Sequence, residues 1–351
     1  MFGGRILGCV HGSAGFARSR ERVAEICERD VSSLTLRQQV LAEIRRVVGF
    51  DTHVFVLTDP ETSVGVSPLA DVPPAMLPEL PTLIRLKYLT DVNRWTAMTE
   101  PVATLRDPAR SLVWRELLDA HGIADVVSCV FRDRFGCWGF LDLWRTGGVF
   151  SEPETLYLRG IARAVTAGLR RAQARTFVAG SSGPAVGPVV LLLSDGLRVL
   201  GQTPQTREYL RVLVPPAQGG TPIPASAYNV AAQLLAVEAG VDDNPPQARV
   251  HLADGRWLSL RAARLESAER PIAVTIEDAA PAERATLFGR AFALTAREAE
   301  LLGHLRAGRD TRDVAVRMHL SEHTVQDHLK SVFAKTGTRS RRTLLAWATG
   351  T

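Results

Sequence analysis

Three polar side chains of different hydrogen-bonding character occur within five positions near the end of the 351-residue chain: Gln326, Asp327 and Lys330. An amide can pair bidentately with adenine, a carboxylate can accept from cytosine N4, and an ammonium group can reach guanine O6 and N7. Such chemistry requires a helix that presents the three side chains together. The alternative is an ordinary solvated face on a structural helix.

The residues around this trio have the pattern of a helix. Ser321 is a typical N-cap, and Gly337 is a typical stop signal. Between them, polar and apolar residues segregate to opposite sides, which leaves the polar trio outside. The only complete apolar stripe of this helix is formed by Val325, Leu329, Val332 and Phe333.

Two shorter helices are predicted before it. Thr295 and Glu298 form a capping box that starts the first, and Gly308 ends it. Thr311 is predicted to cap the second, and His319 is expected to take the left-handed turn after it. A helix, a short turn and a second helix that enters the major groove make a helix-turn-helix. The core-facing residues are predicted to be Leu301, Leu302, Leu305, Val314, Ala315 and Met318.

The segment from Leu294 to Leu345 resembles the LuxR/FixJ-type DNA-binding domain along its whole length. The resemblance implies double-stranded DNA as a partner and base contacts by Gln326, Asp327 and Lys330. The last helix, with a Ser340 cap, Leu344, Leu345 and Trp347, resembles the dimerising element of that family. Phosphate contacts, which set register without reading sequence, are implied for Thr324, His328, Lys335, Arg339 and Ser340. The landmarks that carry the resemblance are Leu294-Thr295, Arg297-Glu298, Ala307-Gly308, Ala315, Leu320-Ser321, Thr324-Val325, His328, Lys335, Gly337 and Arg339-Ser340-Arg341.

The charge distribution agrees with a nucleic-acid partner. The chain has a net charge of +5. Residues 291–351 carry ten Lys or Arg and six Asp or Glu, a net of +4 (10 minus 6), so about +1 remains for residues 1–290. A basic terminal module on a nearly neutral body is the electrostatic outline of a nucleic-acid binder.

The amino-terminal half shows a different pattern. Residues 1–20 are predicted to be an aperiodic leader, and residues 60–108 to be loops with one or two short helices. Two strands are predicted around a turn at Arg134–Gly136, followed by a helix that starts at the Ser151–Glu154 capping box. This order over residues 21–178 resembles a GAF domain, with Phe150 as the aromatic before its terminal helix.

A linker is predicted at Gly180–Gly187, and residues 188–280 resemble a PAS domain. The similarity lies in an opening hairpin at Asp195–Gly196, a helical middle and closing strands with a second turn at Asp254–Gly255. The chain departs from the PAS pattern at Thr203, where Asn is frequent. The predicted fold class is multidomain α+β: a GAF-like α/β sensor domain, a PAS-like α+β domain and an all-α four-helix LuxR-type helix-turn-helix domain at 285–351.

The sequence contains no clear catalytic or metal-binding motif. No P-loop, nucleophile elbow, zinc-protease or dinucleotide motif occurs, so we expect no enzyme, no cofactor and no metal. His319, His323 and Asp327 are spaced by four, but His319 belongs to the turn. His53 and His121 are expected to be ordinary core or surface histidines and not haem ligands. The four cysteines, Cys9, Cys27, Cys129 and Cys137, lack metal spacing and are expected to be reduced thiols.

These patterns predict a cytoplasmic, homodimeric, one-component transcriptional regulator, with no membrane segment. Its amino-terminal half is predicted either to sense a small-molecule effector or to serve only in dimerisation. The alternative class is a signalling scaffold or a small-molecule-processing enzyme that binds DNA only non-specifically.

Overall fold

The computed structural model describes residues 12–178, 189–206, 225–252 and 255–350. These residues form two compact units. The first contains residues 12–57, 68–132 and 138–169, and the second contains residues 58–67, 133–137 and 170–350. The fold is mixed α+β, with two antiparallel five-stranded sheets and a carboxyl-terminal group of helices, which confirms the predicted class at this coarser level.

The first sheet has the strand order β2-β1-β5-β4-β3. Strands β1 and β5 pair antiparallel, with Thr52 opposite Trp144 and Leu57 opposite Gly139. The elements in chain order are α1 (Gly12–Glu28), α2 (Ser33–Val47), β1 (Thr52–Thr58), β2 (Gly65–Asp71), a 3-10 helix (Pro74–Glu79), α3 (Leu80–Leu89), β3 (Val102–Thr104), a 3-10 turn (Pro108–Arg110), a π-helical turn (Trp114–Leu118), a 3-10 turn (Asp119–His121), β4 (Asp125–Asp133), β5 (Gly136–Arg145) and α4 (Glu152–Arg175).

Helix α2 buries apolar residues at a helical spacing. Ser32 caps it by accepting a hydrogen bond from the Thr35 amide, and Leu36, Val40 and Ile44 are buried. The predicted leader was wrong from Gly12 onward, because α1 begins there. Its buried side chains Val23, Ile26 and Cys27 follow a helical spacing that the surrounding charged residues obscure.

The loop predicted at residues 60–108 was wrong in part, because it contains strand β2. Pro68 lies inside that strand, which is tolerated because β2 is at the edge of the sheet. The predicted hairpin between β4 and β5 is confirmed, and its Gly136 has φ 151°. A Cβ on Gly136 would lie 2.2 Å from the Pro60 carbonyl oxygen, so the turn requires glycine for space as well as for conformation.

The second sheet has the order β7-β6-β10-β9-β8, which repeats the order of the first. The predicted turn at Asp195–Gly196 is confirmed by a hydrogen bond from the Leu197 amide to the Ser194 carbonyl. The second predicted turn includes Asp254, which lies outside the described residues, but the strands on either side pair as expected. The linker Gly180–Gly187 also lies outside them. The elements are β6 (Val189–Leu193), β7 (Val199–Gln202), α5 (Ala225–Glu238), β8 (Gln247–His251), β9 (Trp257–Arg264) and β10 (Ile272–Asp278).

A buried ion pair lies within the second unit. Arg249 of β8 donates to both carboxylate oxygens of Asp59, at 2.6 Å each, and to Glu61 at 2.6 Å. The side chains of Asp59 and Arg249 are 0% and 4% exposed. Burial alone would lower the pKa of Arg249, but the hydrogen bonds to Asp59 and Glu61 outweigh it and raise the pKa. Removal of either side chain would therefore leave the other as an unpaired buried charge.

Five helices complete the second unit. They are α6 (Pro281–Ala291), α7 (Ala296–Arg306), α8 (Thr311–Met318), α9 (Glu322–Thr336) and α10 (Arg341–Thr349). Phe288 of α6 packs edge-on against Phe177, with ring centroids 5.5 Å apart, and Phe177 stacks on Trp257 of β9. Aromatic packing thus fixes α6, the helix just before the predicted helix-turn-helix, on the second sheet. Among the described helices, none is long and apolar enough to cross a membrane.

Candidate nucleic-acid interface

Helices α8 and α9 are joined by the predicted tight turn. His319 ends α8 with φ 55° and ψ 46°, which confirms its predicted left-handed conformation. Ser321 caps α9 by accepting a hydrogen bond from the Thr324 amide at 3.1 Å, and Gly337 ends α9 with φ 71°. The predicted cap of α8 was wrong by one residue. Asp310 accepts from the Asp313 amide at 2.8 Å, because its carboxylate is the stronger cap, and Thr311 is the first helical residue.

The inner side of the helix-turn-helix is a shared apolar core. Val325, Leu329 and Val332 of α9 are buried, and Phe333 is half-buried. Helix α9 packs on α7 and α8. All of the core residues predicted on those two helices are buried: Leu301, Leu302, Leu305, Val314, Ala315 and Met318. This core fixes which face of α9 turns outward.

The three residues predicted to contact bases lie on that outward face, and all are exposed. Lys330 Nζ lies 3.1 Å from Asp327 Oδ1, and His323 Nε2 lies 3.5 Å from Asp327 Oδ2. The hydrogen bond from Lys330 lowers the pKa of Asp327. Gln326 donates to the Thr311 hydroxyl at 3.3 Å. The trio is thus brought together at the surface, as the stripe predicted.

The residues predicted to contact phosphates differ in their surroundings. Thr324 and His328 are half-buried, and Arg339 is exposed. Ser340 caps α10, since its hydroxyl accepts from the Thr343 amide at 3.1 Å. The hydroxyls of Thr324 and Ser321 are 2.8 Å apart. Arg339 is therefore a cation that is accessible to a phosphate.

Lys335 has a structural contact that the sequence did not predict. Its ammonium donates to Glu298 Oε2 at 2.6 Å, and the Ser331 hydroxyl donates to Glu298 Oε1 at 2.6 Å. Burial raises the pKa of Glu298, but the hydrogen bonds from Lys335, Ser331 and Thr295 outweigh burial and lower the pKa to about 2. Lys335 therefore fastens α9 to the first turn of α7, and its phosphate contact stays a prediction.

The Thr311 hydroxyl is a further junction that sequence reasoning missed. It accepts from Arg341 at 2.5 Å as well as from Gln326, so α8, α9 and α10 meet at one oxygen. Arg341 was recognisable as a landmark of the resemblance, but its partner was not. The predicted capping box of Thr295 and Glu298 is confirmed, with both reciprocal hydrogen bonds present.

Helix α10 corrects one part of the predicted dimerising surface. Leu344 is fully buried inside its own unit, where α10 packs on α6. Leu345 and Trp347 are half-buried, and the Trp347 carbonyl accepts from Arg284 of α6 at 3.3 Å. Leu344 therefore holds α10 to its own chain, because its side chain has no surface left for a second copy.

The two histidines considered as haem ligands, His53 and His121, belong to the first unit. His53 is buried, its ring nitrogens have no hydrogen-bond partner, and burial lowers its pKa. His121 Nε2 lies 2.9 Å from Glu79. Cys27, Cys129 and Cys137 are buried and form no disulfide within the described residues. Within the described ranges, no group of three or more His, Cys, Asp or Glu side chains could hold a metal ion.

This geometry defines a helix-turn-helix DNA-binding domain. Residues 293–348 match the family model of the bacterial regulatory proteins, luxR family. Over 56 residues, the chain is 41% identical to the probable HTH-type transcriptional regulator GfsR of Streptomyces halstedii, a match covering 16% of this chain and 23% of that protein. The carboxyl-terminal segment is therefore a LuxR-type domain, as the landmark residues predicted.

A second relative matches over a similar length. The chain is 38% identical over 55 residues to the CsgBAC operon transcriptional regulatory protein of Escherichia coli K12, which covers 16% of this chain and 26% of that protein. The chain thus spans about a quarter of the length of both relatives. The structure of SdiA from Escherichia coli is 13% identical and covers 95% of this chain and 98% of that one, with a TM-score of only 0.37.

Proposed function

We propose that this protein is a transcriptional regulator that reads DNA sequence in the major groove through α9. The observation that carries the proposal is the outward face of α9 in a LuxR-type domain. Gln326, Asp327 and Lys330 are exposed there, and the opposite side of the helix is buried on α7 and α8. An amide, a carboxylate and an ammonium group together provide the donors and acceptors that distinguish base edges.

The phosphate contacts proposed beside them are Thr324, His328, Lys335, Arg339 and Ser340. Their function is to fix the position of α9 on the duplex, and they carry no sequence information themselves. Asp327 is the unusual member of the base-reading trio, because a carboxylate close to phosphates is costly unless a base donor meets it. Its hydrogen bond with Lys330 offsets that charge in the free protein.

For the rest of the chain, we propose a GAF-like domain at 21–178, a PAS-like domain at 188–280 and the DNA-binding domain at 285–351. Two observations support the GAF-like domain. Strand β5 leads to α4, and the buried Phe150 between them lies under the Arg145 guanidinium, whose Cζ is 4.1 Å from the ring centroid. The PAS-like domain is supported by the β6–β7 hairpin, the buried helix α5 and the three closing strands.

The amino-terminal half would act either by binding a small-molecule effector or by dimerisation. An effector controls DNA binding only if it binds two states of the protein with different affinity. A homodimer in the cytoplasm would bind two half-sites about 10 bp apart or a multiple of that distance. On α10, the proposed dimer contact consists of Leu345 and Trp347, because Leu344 is buried within its own chain.

The test is a mobility shift with the full-length protein and the DNA upstream of its own gene. The proposal predicts binding to one segment that survives excess scrambled competitor and moderate salt. If specific and scrambled DNA compete equally well, and salt weakens binding to both to the same extent, the result would instead support the scaffold or enzyme alternative.

A further inference from the structure

A cavity of about 540 Å³ lies in the first unit, at the outer edge of its sheet. It is lined by parts of residues 91–110, which include β3, and by Thr155 and Arg159 from the start of α4. Its volume lies within the range of ordinary small-molecule sites. It adjoins the core under α3, which apolar side chains such as Leu83, Leu86 and Trp144 fill, because Val92 lines the cavity and also packs against that core.

Three arginines line this cavity without an ion-pair partner in the described part of the chain: Arg106, Arg110 and Arg159. All three are exposed. A fourth lining arginine, Arg94, differs, because it is buried and donates to the Thr90 carbonyl at 3.2 Å and the Thr96 hydroxyl at 2.9 Å. The guanidinium group is a planar fork of donors that matches carboxylate and phosphate oxygens.

Three carboxylates also line the cavity: Asp91, Glu100 and Asp107. None of them forms an ion pair with a described residue, although arginines line the same space. They disfavour a bare anion, and they offer acceptors to hydroxyl groups of a ligand. The lining therefore matches a molecule that carries negative charge at one end and hydrogen-bond donors elsewhere.

We propose that this cavity binds a small hydroxylated organic anion, whose carboxylate or phosphate group is held by Arg106, Arg110 and Arg159. The role of this ligand as an effector rests on the proposed function, whereas its binding does not. Helix α4 runs from Arg159 at the cavity to Arg175, and Phe177 follows in the aromatic cluster with α6. A ligand that moves the start of α4 would thus act on the same helix that ends beside the DNA-binding domain.

The experiment is isothermal titration calorimetry on the full-length protein at physiological ionic strength. Citrate serves as the carboxylate probe, glucose 6-phosphate as the phosphate probe and glucose as the uncharged control. At least one anion is expected to bind saturably with one site per chain, while glucose does not bind. Arg106→Gln, Arg110→Gln and Arg159→Gln are each expected to weaken binding about tenfold, the usual size of one charge-assisted hydrogen bond.

Arg163→Gln is the matched control, because Arg163 is exposed on the same helix one turn beyond Arg159 and does not line the cavity. Its affinity for the anion should equal that of the wild type. Failure of both anions to bind, or equal weakening by Arg163→Gln, would overturn the proposed site. A parallel mobility shift on DNA separates the two proposals. If neither anion binds but the protein still binds its operator, only the proposed anion site is refuted. If an anion binds but the protein shows no specific DNA binding, only the proposed regulator function is refuted.

Discussion

Lys335 Nζ and Glu298 Oε2 lie 2.6 Å apart, although 37 positions separate the two residues in the chain. The Glu298 side chain is 4% exposed and the Lys335 side chain 33% exposed, so the pair is largely removed from water. Lys330, only five residues earlier, pairs instead on the surface with Asp327 of its own helix, at 72% exposure. In the free protein, Lys335 therefore holds α9 to α7, whereas Lys330 contacts a residue of its own helix.

Lys335→Met should destabilise the protein by about 1–3 kcal/mol, because it leaves the Glu298 carboxylate buried without its counter-ion. Lys330→Met should change the free energy of unfolding by less than about 0.5 kcal/mol, since an exposed i,i+3 pair contributes little. Chemical denaturation of the two variants measures both values. Equal losses would show that the contact between α7 and α9 is not energetically distinct from a surface ion pair.

Glu298 should make the protein sensitive to acid. The pKa of Glu298 is about 2 in the folded protein, below its ordinary value of 4.5. As pH falls, the Glu298 carboxylate is therefore protonated in the unfolded chain at a higher pH than in the folded protein. The stability that Glu298 contributes is present above about pH 4.5 and is lost between 4.5 and 2. Glu298→Gln should remove on the order of 2–3 kcal/mol of that pH dependence. Parallel acid-stability curves for wild type and variant would contradict this.

Arg249→Met should cost about 3–5 kcal/mol, because Asp59 is fully buried and would keep an uncompensated charge. The double variant Arg249→Met/Asp59→Asn should recover part of that loss, since the asparagine is neutral and keeps the shape of the turn. Arg297→Met serves as a control for arginine removal, because its partner Glu300 is 40% exposed, and it should cost less than about 1 kcal/mol. A double variant no more stable than the single one would refute the buried-charge explanation.

Asp327→Ala should weaken discrimination at one C·G pair and strengthen binding to scrambled DNA. It removes both an acceptor for cytosine N4 and a negative charge close to the phosphates. The measurement is a titration of wild type and variant against operator and scrambled duplexes at several salt concentrations. If sequence preference is unchanged, Asp327 faces solvent in the complex, and the reading face is displaced by about one helical position.

Local signals in the sequence predicted most of the DNA-binding domain. Capping types, the apolar stripe of α9 and the left-handed His319 all depend on residues within a few positions of one another. The pairing of Lys335 with Glu298 and the meeting of Arg341 and Gln326 at Thr311 depend on three-dimensional packing. No periodicity specifies such contacts, and they were missed for that reason.

The amino-terminal half was harder to predict for the same physical reason. Strand β2 contains Pro68, which argues against a strand unless its edge position is known. The first turns of α1 contain Gly12 and Gly15, which favour a disordered interpretation until packing is seen. The cavity beside β3 combines residue 159 with residues 91–110, and nothing in the sequence indicates that these segments meet.

The most direct test of base reading by α9 compares Lys330→Ala with Arg339→Ala on operator and scrambled DNA. Lys330→Ala should cost about 1–3 kcal/mol on the operator only and relax the preference at one base pair. Arg339→Ala should weaken both duplexes equally and lower the slope of log affinity against log salt by about 1. If Lys330→Ala instead weakens both duplexes equally and keeps the sequence preference of the wild type, then α9 does not read bases through this face.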